Sequence, residues 1–426
     1  MTLSNRHQLR PIRVALLAVT LALALAVSSA RAELPLFFNN VSVGFLPQSV
    51  DIDHVTNRVY VADSSSNTLS VIDGVTNLRI AAIPVGGAPY GVVVNATTHR
   101  AYTANRNSND VTVVDTTTNT VVTTITTDTW PFDVALNPST NLIYVANEGG
   151  NNMSVIDGAT NAVVATVTGL ADPRSVAVNT TTNRIYVANT YGSSISVIDG
   201  GTQAVIDTIA VSAEPTGIAL DQSTNRVFVS HRTSPGLLTV IDGTTDGPIT
   251  TIPMDNDSVD VAFDPLTHRL YVSNWLAPSL TMLDSTTYAV LRDDPFGKPY
   301  GIAVNPALNR IYVANNGGNI VATYIDDPAR DTDGDGYSDG TEVGLGKNPL
   351  EYCVIMRADV DGDGSVTILD PSKVAMKFGQ MFPPTDPSIG IDTGIQRLNQ
   401  DADNVISILD LSKMASVFGK PVTLCA

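Results

Sequence analysis

Cysteines, basic residues and charges in general are scarce in this chain. Two cysteines in 426 residues exclude a scaffold held by several disulfides and a cysteine-rich zinc module. Charged residues make up 15% and hydrophobic residues 43%, which is the balance of a packed globular protein. Only 24 basic residues face 42 acidic ones, so a nucleic acid or an anionic membrane would repel the protein. The length predicts two or three folding units, and the excess carboxylates favour multivalent cations as ligands.

The first 32 residues have the pattern of a secretory signal. Three arginines, at positions 6, 10 and 13, precede an apolar run over residues 14–27, and the motif A-R-A at 30–32 supplies small residues for cleavage. The run is shorter than the roughly 20 residues that span a bilayer, so a cleaved signal is favoured over a membrane anchor. We therefore expect a secreted or cell-surface protein with no membrane span after cleavage.

One unit of about 42 residues is repeated seven times in the middle of the chain. Each unit carries an aromatic residue in a setting close to N-R-I-Y-V-A-N, an aspartate after an alternating apolar run, and a proline (serine in the sixth unit) before a valine-rich segment. The seven aromatic positions are Tyr60, Tyr102, Tyr144, Tyr186, Phe228, Tyr271 and Tyr312. In the second unit, runs at 91–95, 100–105, 110–115 and 120–126 alternate with period two between turn residues, which predicts four strands. Four strands in each repeat predict an all-β fold, a seven-bladed β-propeller.

The two ends of the repeat array complement each other. The seventh unit has no fourth strand, because Asp326 is followed by D-P-A-R-D-T-D-G-D-G. The segment 37–44 supplies a spare strand in the same phase as the other units. We expect the N-terminal strand to complete the last blade, which closes the ring and covers a sheet edge. A linear solenoid would leave both ends unmatched.

The repeats at 141–147 (N-L-I-Y-V-A-N), 183–189 and 309–315 (both N-R-I-Y-V-A-N) resemble the YVTN family of β-propeller repeats. The resemblance covers about residues 36–327. It implies an extracellular or periplasmic binding or surface module, and it implies no particular ligand because a fold does not determine a function.

One face of the expected propeller combines a constant framework with variable side chains. The residue after each repeat proline lies on the turn into the innermost strand and changes from blade to blade: Gln48, Tyr90, Phe132, Arg174, Thr216, Val259 and Tyr300. The turn between the second and third strands opens on the same face and adds Arg106, Glu148, Tyr191, His231, Arg232 and Trp275. The aromatic rings can stack on a glycan or protein ligand, and the arginines can hold an anionic or hydroxylated one. The alternative is tolerated variation at loop tips.

The sequence contains no recognised catalytic motif: G-x-S-x-G, H-E-x-x-H and a phosphate loop are all missing. His54, His99 and His268 fall in predicted turns, and His231 alone falls on the candidate face. We therefore predict a binding protein and not an enzyme. The alternative is a propeller hydrolase or lyase with its active site around His231, Arg174 and Tyr300.

Three segments in the C-terminal hundred residues match the twelve-residue EF-hand calcium loop, whose alternating carboxylates supply the oxygens that Ca²⁺ requires. The first uses Asp331, Asp333, Asp335, Tyr337, Asp339 and Glu342. The second uses Asp359, Asp361, Asp363, Ser365, Thr367 and Asp370, and the third uses Asn399, Asp401, Asp403, Val405, Ser407 and Asp410. We expect three Ca²⁺ sites and the weakest binding in the third, because Asn399 removes a charge and Asn404 replaces the usual glycine.

The surroundings of these loops resemble known calcium modules. The sequence around the first loop resembles a thrombospondin type 3-like repeat. The second and third loops are each followed by a short helical pattern, at 368–379 and 408–419, and this duplicated loop and helix resembles a dockerin domain. The resemblance implies calcium-dependent docking to a cohesin-type protein in a polysaccharide-degrading or cell-surface assembly. The apolar residues at the loop-to-helix junctions, at 368–369 and 408–409, either contact that partner or belong to the core.

These observations divide the chain into four parts. Residues 1–32 form the signal peptide, 33–327 the propeller, 328–351 a calcium-binding linker, and 352–426 a small α dockerin-like domain. Cys353 and Cys425 bracket the last part, and in a secreted protein they either form a disulfide, which we favour, or stay as two buried thiols. We expect a monomeric, calcium-binding recognition or scaffold protein.

Overall fold

The computed structural model describes residues 34–333, 338–344 and 348–350, which form strands β1–β28 and one short helix. The first blade contains β2 (Pro47–Asp53), β3 (Arg58–Asp63), β4 (Thr68–Asp73) and β5 (Leu78–Pro84). The second contains β6 (Pro89–Asn95), β7 (Arg100–Asn105), β8 (Asp110–Asp115) and β9 (Thr120–Thr126). The third contains β10 (Pro131–Asn137), β11 (Leu142–Asn147), β12 (Asn152–Asp157) and β13 (Ala162–Thr168). The fourth contains β14 (Pro173–Asn179), β15 (Arg184–Asn189), β16 (Ser194–Asp199) and β17 (Val205–Ala210).

The remaining three blades follow the same order. The fifth contains β18 (Pro215–Asp221), β19 (Arg226–His231), β20 (Gly236–Asp242) and β21 (Gly247–Met254). The sixth contains β22 (Ser258–Asp264), β23 (Arg269–Asn274), β24 (Ser279–Asp284) and β25 (Val290–Pro295). The seventh contains β26 (Pro299–Asn305), β27 (Arg310–Asn315), β28 (Ile320–Ile325) and β1 (Leu36–Ser42). The helix α1 spans Asp339–Gly344.

The seven sheets form a closed ring, as the repeats predicted. Each sheet has four antiparallel strands, which are consecutive in the first six blades, while β1 is the fourth strand of the seventh. The first strand of every blade contacts the first strand of the next, including β26 with β2. The predicted seven-bladed propeller with four-stranded blades is therefore confirmed. In the second blade the predicted strands agree with the observed ones except that β6 begins two residues earlier, at Pro89.

The core is divided into seven apolar clusters, and each cluster lies between two neighbouring blades. The second strand of each blade is buried on both faces, and the repeated aromatic residue in it is fully buried in all seven copies. The fourth strands instead expose most of their side chains on the outside of the ring. A blade alone would leave half of its apolar surface in water, so the stable unit is the ring.

Short polar turns connect the strands and explain two of the sequence patterns. His99 and His268 occupy left-handed backbone positions, with φ of 54° and 53°, which asparagine occupies in the other blades. Both histidines are turn residues, as predicted. The blade-terminal Asp73 accepts hydrogen bonds from the backbone N–H groups of Val75 (3.0 Å) and Thr76 (2.8 Å), so this aspartate caps its turn.

The N-terminal strand closes the ring. Strand β1 pairs antiparallel with β28, and Val41 lies opposite Val321 in the ladder. Val41 is buried in the cluster between the seventh and first blades, together with Tyr312. The expected closure is therefore present.

Several sequence expectations fall outside the described residues. These are the signal peptide, the second and third calcium loops with their helices, Cys353 and Cys425, and positions 335 and 337 of the first loop. In the part of the chain that the structure describes, none of the helices has the length and apolarity to cross a membrane.

Replacing Val41 by alanine should lower the free energy of unfolding by about 2 kcal/mol, because two buried methyl groups are lost and a small cavity remains. Equilibrium unfolding in urea measures the change. The control is S42A at the exposed neighbouring position of β1, which should change the free energy by less than about 0.5 kcal/mol. Identical unfolding midpoints for V41A and the unmodified protein would contradict the closing role of β1.

Candidate binding face at the mouth of the propeller

The seven variable residues after the repeat prolines come together at one end of the central channel. They line a cavity of about 80 Å³, together with Arg232. The rest of the wall is formed by Ser49, Gly91, Asp133, Ser175, Gly217, Asp260 and Gly301. The repeat brings one equivalent position from each blade to the axis, so seven residues that are far apart in sequence share this mouth.

A β-bulge in every blade presents these side chains. The pairing of the first with the second strand shifts register directly after the repeat proline or serine in all seven sheets, for example between Pro131 and Asp133. The variable residue sits in this bulge, where it is not constrained by a partner in the ladder. Bulges reorient side chains at the rims of closed sheets, which is how the repeated framework tolerates six different residue types at these seven positions.

Glu148 joins two arginines from neighbouring blades at the rim. Its Oε2 accepts hydrogen bonds from Nε (2.9 Å) and Nη2 (2.7 Å) of Arg106, and its Oε1 accepts from Nε of Arg174 (3.0 Å). Asp172 adds a second carboxylate 3.3 Å from Nε of Arg174. The charges of both arginines are therefore balanced within the protein.

The same arginines lie against aromatic rings. The guanidinium of Arg106 lies 4.7 Å from the centre of the Trp130 ring and 5.6 Å from that of Tyr90. Arg174 lies 5.7 Å from the ring of Phe132 and 5.8 Å from that of Tyr191. The rings of Tyr90 and Phe132 are themselves 4.8 Å apart. Cation–π contacts and salt bridges together hold this side of the mouth in one arrangement.

The opposite side has a second arginine–aromatic group. Arg232 donates to both carboxylate oxygens of Asp257, at 2.8 and 3.1 Å, and these hydrogen bonds raise its pKa. Two cationic groups lie near the ring of Trp275: the guanidinium of Arg232 is 6.0 Å from the ring centre, and Nζ of Lys298 is 4.8 Å from it. Burial raises the pKa of Tyr300 to about 12, so its hydroxyl is neutral at physiological pH. Arg106 and Trp275 thus flank the mouth, and Arg174, Arg232 and Tyr300 line it.

His231 does not lie on this face, and the expectation that it does was wrong. The side chain is fully buried, with Nδ1 3.0 Å from the carbonyl oxygen of Ala213 and Nε2 2.8 Å from Oγ1 of Thr239. Burial lowers its pKa. The last residue of the second strand points into the blade in the other copies too, as Asn147 does when it donates to Ser154 (2.9 Å). His231 replaces such an asparagine as a structural link between strands.

The sequence reasoning missed a group of aspartates in the channel wall. Asp133 and Asp260 lie below the variable ring, and each accepts a hydrogen bond from the next blade, Asp133 from the N–H of Val176 (3.0 Å) and Asp260 from that of Ile302 (3.0 Å). Asp51, two positions further along its own strand, accepts one from the N–H of Val94 (2.7 Å). The sequence pattern that could have revealed Asp133 and Asp260 is the second position after the repeat proline or serine, which is glycine, serine or aspartate in the seven blades.

Glycines allow the aspartates to approach. A Cβ on Gly91 would lie 2.8 Å from Cα of Asp133, and one on Gly217 would lie 2.7 Å from Cα of Asp260. Any larger residue at these positions would push the inner strands of the second and third or the fifth and sixth blades apart. The narrow channel below the mouth thus depends on pairing a glycine with an aspartate from the next blade.

Desolvation deep in the channel raises the pKa of all three carboxyl groups. The pKa of Asp51 and of Asp260 rises to about 7 and that of Asp133 to about 6, against the lowering effect of the backbone hydrogen bonds. Repulsion from Asp133 adds to the rise at Asp51 and Asp260. Within the described residues none of the three has a basic side chain in salt-bridge distance, so the channel holds acidic groups without counter-charges.

Of the first predicted calcium loop, the structure describes Asp331, Asp333, Asp339 and Glu342. Asp339 is buried against the opposite face of the propeller, where its Oδ2 accepts hydrogen bonds from Nδ2 of Asn309 (2.8 Å) and Oγ1 of Thr332 (2.7 Å). Glu342 is also buried there. The described residues contain no group of three or more histidine, cysteine, aspartate or glutamate side chains placed to hold a metal ion. With two ligand positions outside the described residues, the calcium loop stays a prediction.

Comparison with known proteins supports the fold and identifies no family. No protein-family model matches the chain, and no curated protein matches it. Among solved structures, hydrazine synthase from Kuenenia stuttgartiensis is similar, with a TM-score of 0.59 and 19% identity over 70% of this chain and 97% of that chain. At this identity the similarity supports the propeller fold alone.

The variants D133N and D260N should gain stability relative to the unmodified protein as the pH rises from 4 to 8. The folded-state pKa lies above the unfolded value of 3.8, so the folded protein prefers the protonated carboxyl, and this stabilisation is lost as the pH rises from about 4 to about 7. Asparagine stays neutral and keeps one acceptor oxygen for the next blade, but its amide nitrogen cannot accept the N–H of Val134 or Val261 that the second carboxylate oxygen accepts, which costs about 1 kcal/mol at every pH. The free energy of unfolding of each variant, relative to that of the unmodified protein, should therefore rise by about 1–3 kcal/mol between pH 4 and pH 8.

Urea unfolding at several pH values measures this effect. The matched control is D207N, because Asp207 is exposed on the outer strand β17 and should respond little at any pH. An equal change in the free energy of unfolding of D260N and D207N between pH 4 and pH 8 would contradict the assignment.

Proposed function

We propose that this protein is a secreted recognition module whose ligand binds at the mouth of the propeller, and whose C-terminal segment binds calcium and docks onto a partner. The observation that carries the first part is the convergence of seven variable, bulged positions on one cavity. A framework that repeats while its central ring changes is typical of a surface diversified for binding.

The rim favours binding over catalysis. Its arginines are engaged with Glu148, Asp172 and Asp257, so they hold the aromatic rings in place and are not available as free anion-binding groups. Rigid aromatic side chains give a large contact area at a small cost in conformational entropy. A glycan or a protein segment is the ligand that such a surface fits. An enzyme built around His231 is not supported, since this histidine is buried and bonded within its blade.

The remaining parts of the proposal rest on sequence patterns. The N-terminal 32 residues support secretion, and the repeats support a YVTN-type propeller. The three acidic loops support calcium binding by a thrombospondin type 3-like linker and a dockerin-like domain, and the duplicated loop and helix supports docking to a cohesin-type protein. Such docking would attach the propeller to a polysaccharide-degrading or cell-surface assembly.

A double variant tests the binding face. The full chain, fluorescently labelled, is applied to a glycan array, and the glycans that bind are titrated against Y90A/Y300A. Removing two rings of the cavity wall should weaken binding at least roughly tenfold, since each buried aromatic anchor contributes strongly to an interface. The control is Y288A, a tyrosine that contacts Arg226 at the opposite end of the propeller. Glycan binding that survives in Y90A/Y300A, or is lost equally in Y288A, would place the ligand elsewhere.

Calorimetric titration of the full chain with Ca²⁺ after EGTA treatment tests the C-terminal part. We expect about three bound ions, and D335A, D363A and D403A should each remove one, because each variant deletes a carboxylate from one loop. The D403A variant should affect the weakest site. Calcium should also raise the melting temperature of the C-terminal transition, because only the folded loops bind the ion. A chain that shows neither heat of binding nor a change in melting would refute calcium binding.

A further inference from the structure

The wall of the mouth cavity carries negative charge that the protein does not balance. The three guanidinium groups of Arg106, Arg174 and Arg232 face an equal number of carboxylates at the rim, and Lys298 adds one ammonium beside Trp275, so one positive charge stands against the two aspartates below the rim. Asp133 and Asp260 line the same cavity below the rim and have no basic partner among the described residues. Their carboxylates accept backbone N–H groups, at 2.8 to 3.0 Å, and Asp133 also accepts a hydrogen bond from the side chain of Ser175. Once ionised, these two carboxylates give the cavity a net negative charge.

Gln48 adds an unsatisfied acceptor to this wall. The residue is 6% exposed, and its Nε2 donates to Oγ of Ser64 at 3.3 Å. Its Oε1 is buried and has no hydrogen-bond partner within the described part of the protein. A buried acceptor without a donor costs free energy, so a ligand donor would gain from this oxygen once the Gln48 side chain turns it toward the cavity.

Three aromatic rings complete the cavity. Tyr90, Phe132 and Tyr300 contribute to its wall from the second, third and seventh blades. The face of an aromatic ring attracts a cation, and a ring set beside carboxylates attracts it more strongly when water is excluded. An anion in the same place would meet two carboxylates, and a neutral hydroxyl group would leave their charge unbalanced.

We propose that the mouth cavity binds an aliphatic ammonium group, of the kind carried by a lysine side chain or an amino sugar. An ammonium has three donors and no acceptor, which matches Asp133, Asp260 and Gln48. A cavity of about 80 Å³ has room for an ammonium and a short methylene stem, while the rest of the ligand would lie on the rim. This inference rests on the proposed binding function of the mouth and names the chemistry at its centre.

Two pairs of probes test the proposal. Within each pair, one compound carries the ammonium group and the other lacks it, and the two pairs represent a lysine side chain and an amino sugar. The full chain is titrated with Nα-acetyl-lysine amide and with Nα-acetyl-norleucine amide, which has an aliphatic side chain without the ammonium. Glucosamine and N-acetylglucosamine form the second pair. The only two tryptophans of the chain, Trp130 and Trp275, flank the mouth, so intrinsic fluorescence reports on binding without a label.

We expect one or both ammonium compounds to change the fluorescence saturably at constant ionic strength, and their neutral counterparts to bind at least roughly tenfold more weakly. The double variant D133N/D260N should weaken binding of the ammonium compound by a similar factor, and Q48L should weaken it to a smaller extent. The D207N control on the outer strand should bind as the unmodified protein does. Circular dichroism confirms that each variant is folded.

Three outcomes would overturn the inference. Equal binding of the lysine and norleucine derivatives would make the cavity an apolar pocket. Failure of both ammonium compounds to bind, while a neutral glycan from the array binds in a manner that depends on Tyr90 and Tyr300, would reject the ammonium and leave the proposed binding face intact. Ammonium binding that D133N/D260N does not weaken would also reject the assignment, because the carboxylates would then not contact the ligand.

Discussion

Burial of the second strand of each blade on both faces is the constraint on which the rest of the structure depends. The residues around Tyr144 or Tyr186 have apolar side chains in both directions, and each direction requires a neighbouring blade. No blade can therefore bury its own apolar surface, and a chain of blades with open ends would leave the apolar surfaces of the two terminal blades in water. Closing the ring removes both ends, and β1 does this by pairing with β28.

Ring closure also creates the candidate site. Once the blades surround an axis, the first strands of all seven line the central channel. The bulge after the repeat proline then turns one side chain per blade toward the mouth. The same geometry places Asp133 and Asp260 where water is scarce and where the blades meet, so they fasten adjacent inner strands while retaining carboxyl groups that titrate near neutral pH. The stability of the ring and the chemistry of the candidate site thus depend on the same few residues.

The rim shows how repeated architecture and individual chemistry combine. Glu148 contacts an arginine from the preceding blade and another from the following one, and these ion pairs position Trp130, Phe132 and Tyr191. An equivalent group around Arg232 and Trp275 uses different residues at corresponding loops. Because the partners come from separate blades, the shape of the rim is a property of the ring and not of any single repeat.

The sequence by itself determined the number of blades, the strands within them and the turn role of His99 and His268, because a strict period of about 42 residues and local turn chemistry act over short distances. It also identified the variable ring at the mouth. Only the tertiary structure decided the orientation of side chains and the pairing of charges. His231 points inward because its strand position faces the third strand of its own blade. Arg174 forms ion pairs with Glu148 and Asp172 across a blade boundary. The raised pKa of Asp260 could not be read from the chain either. Burial in a closed channel produces it, and that burial exists only once seven distant segments have met.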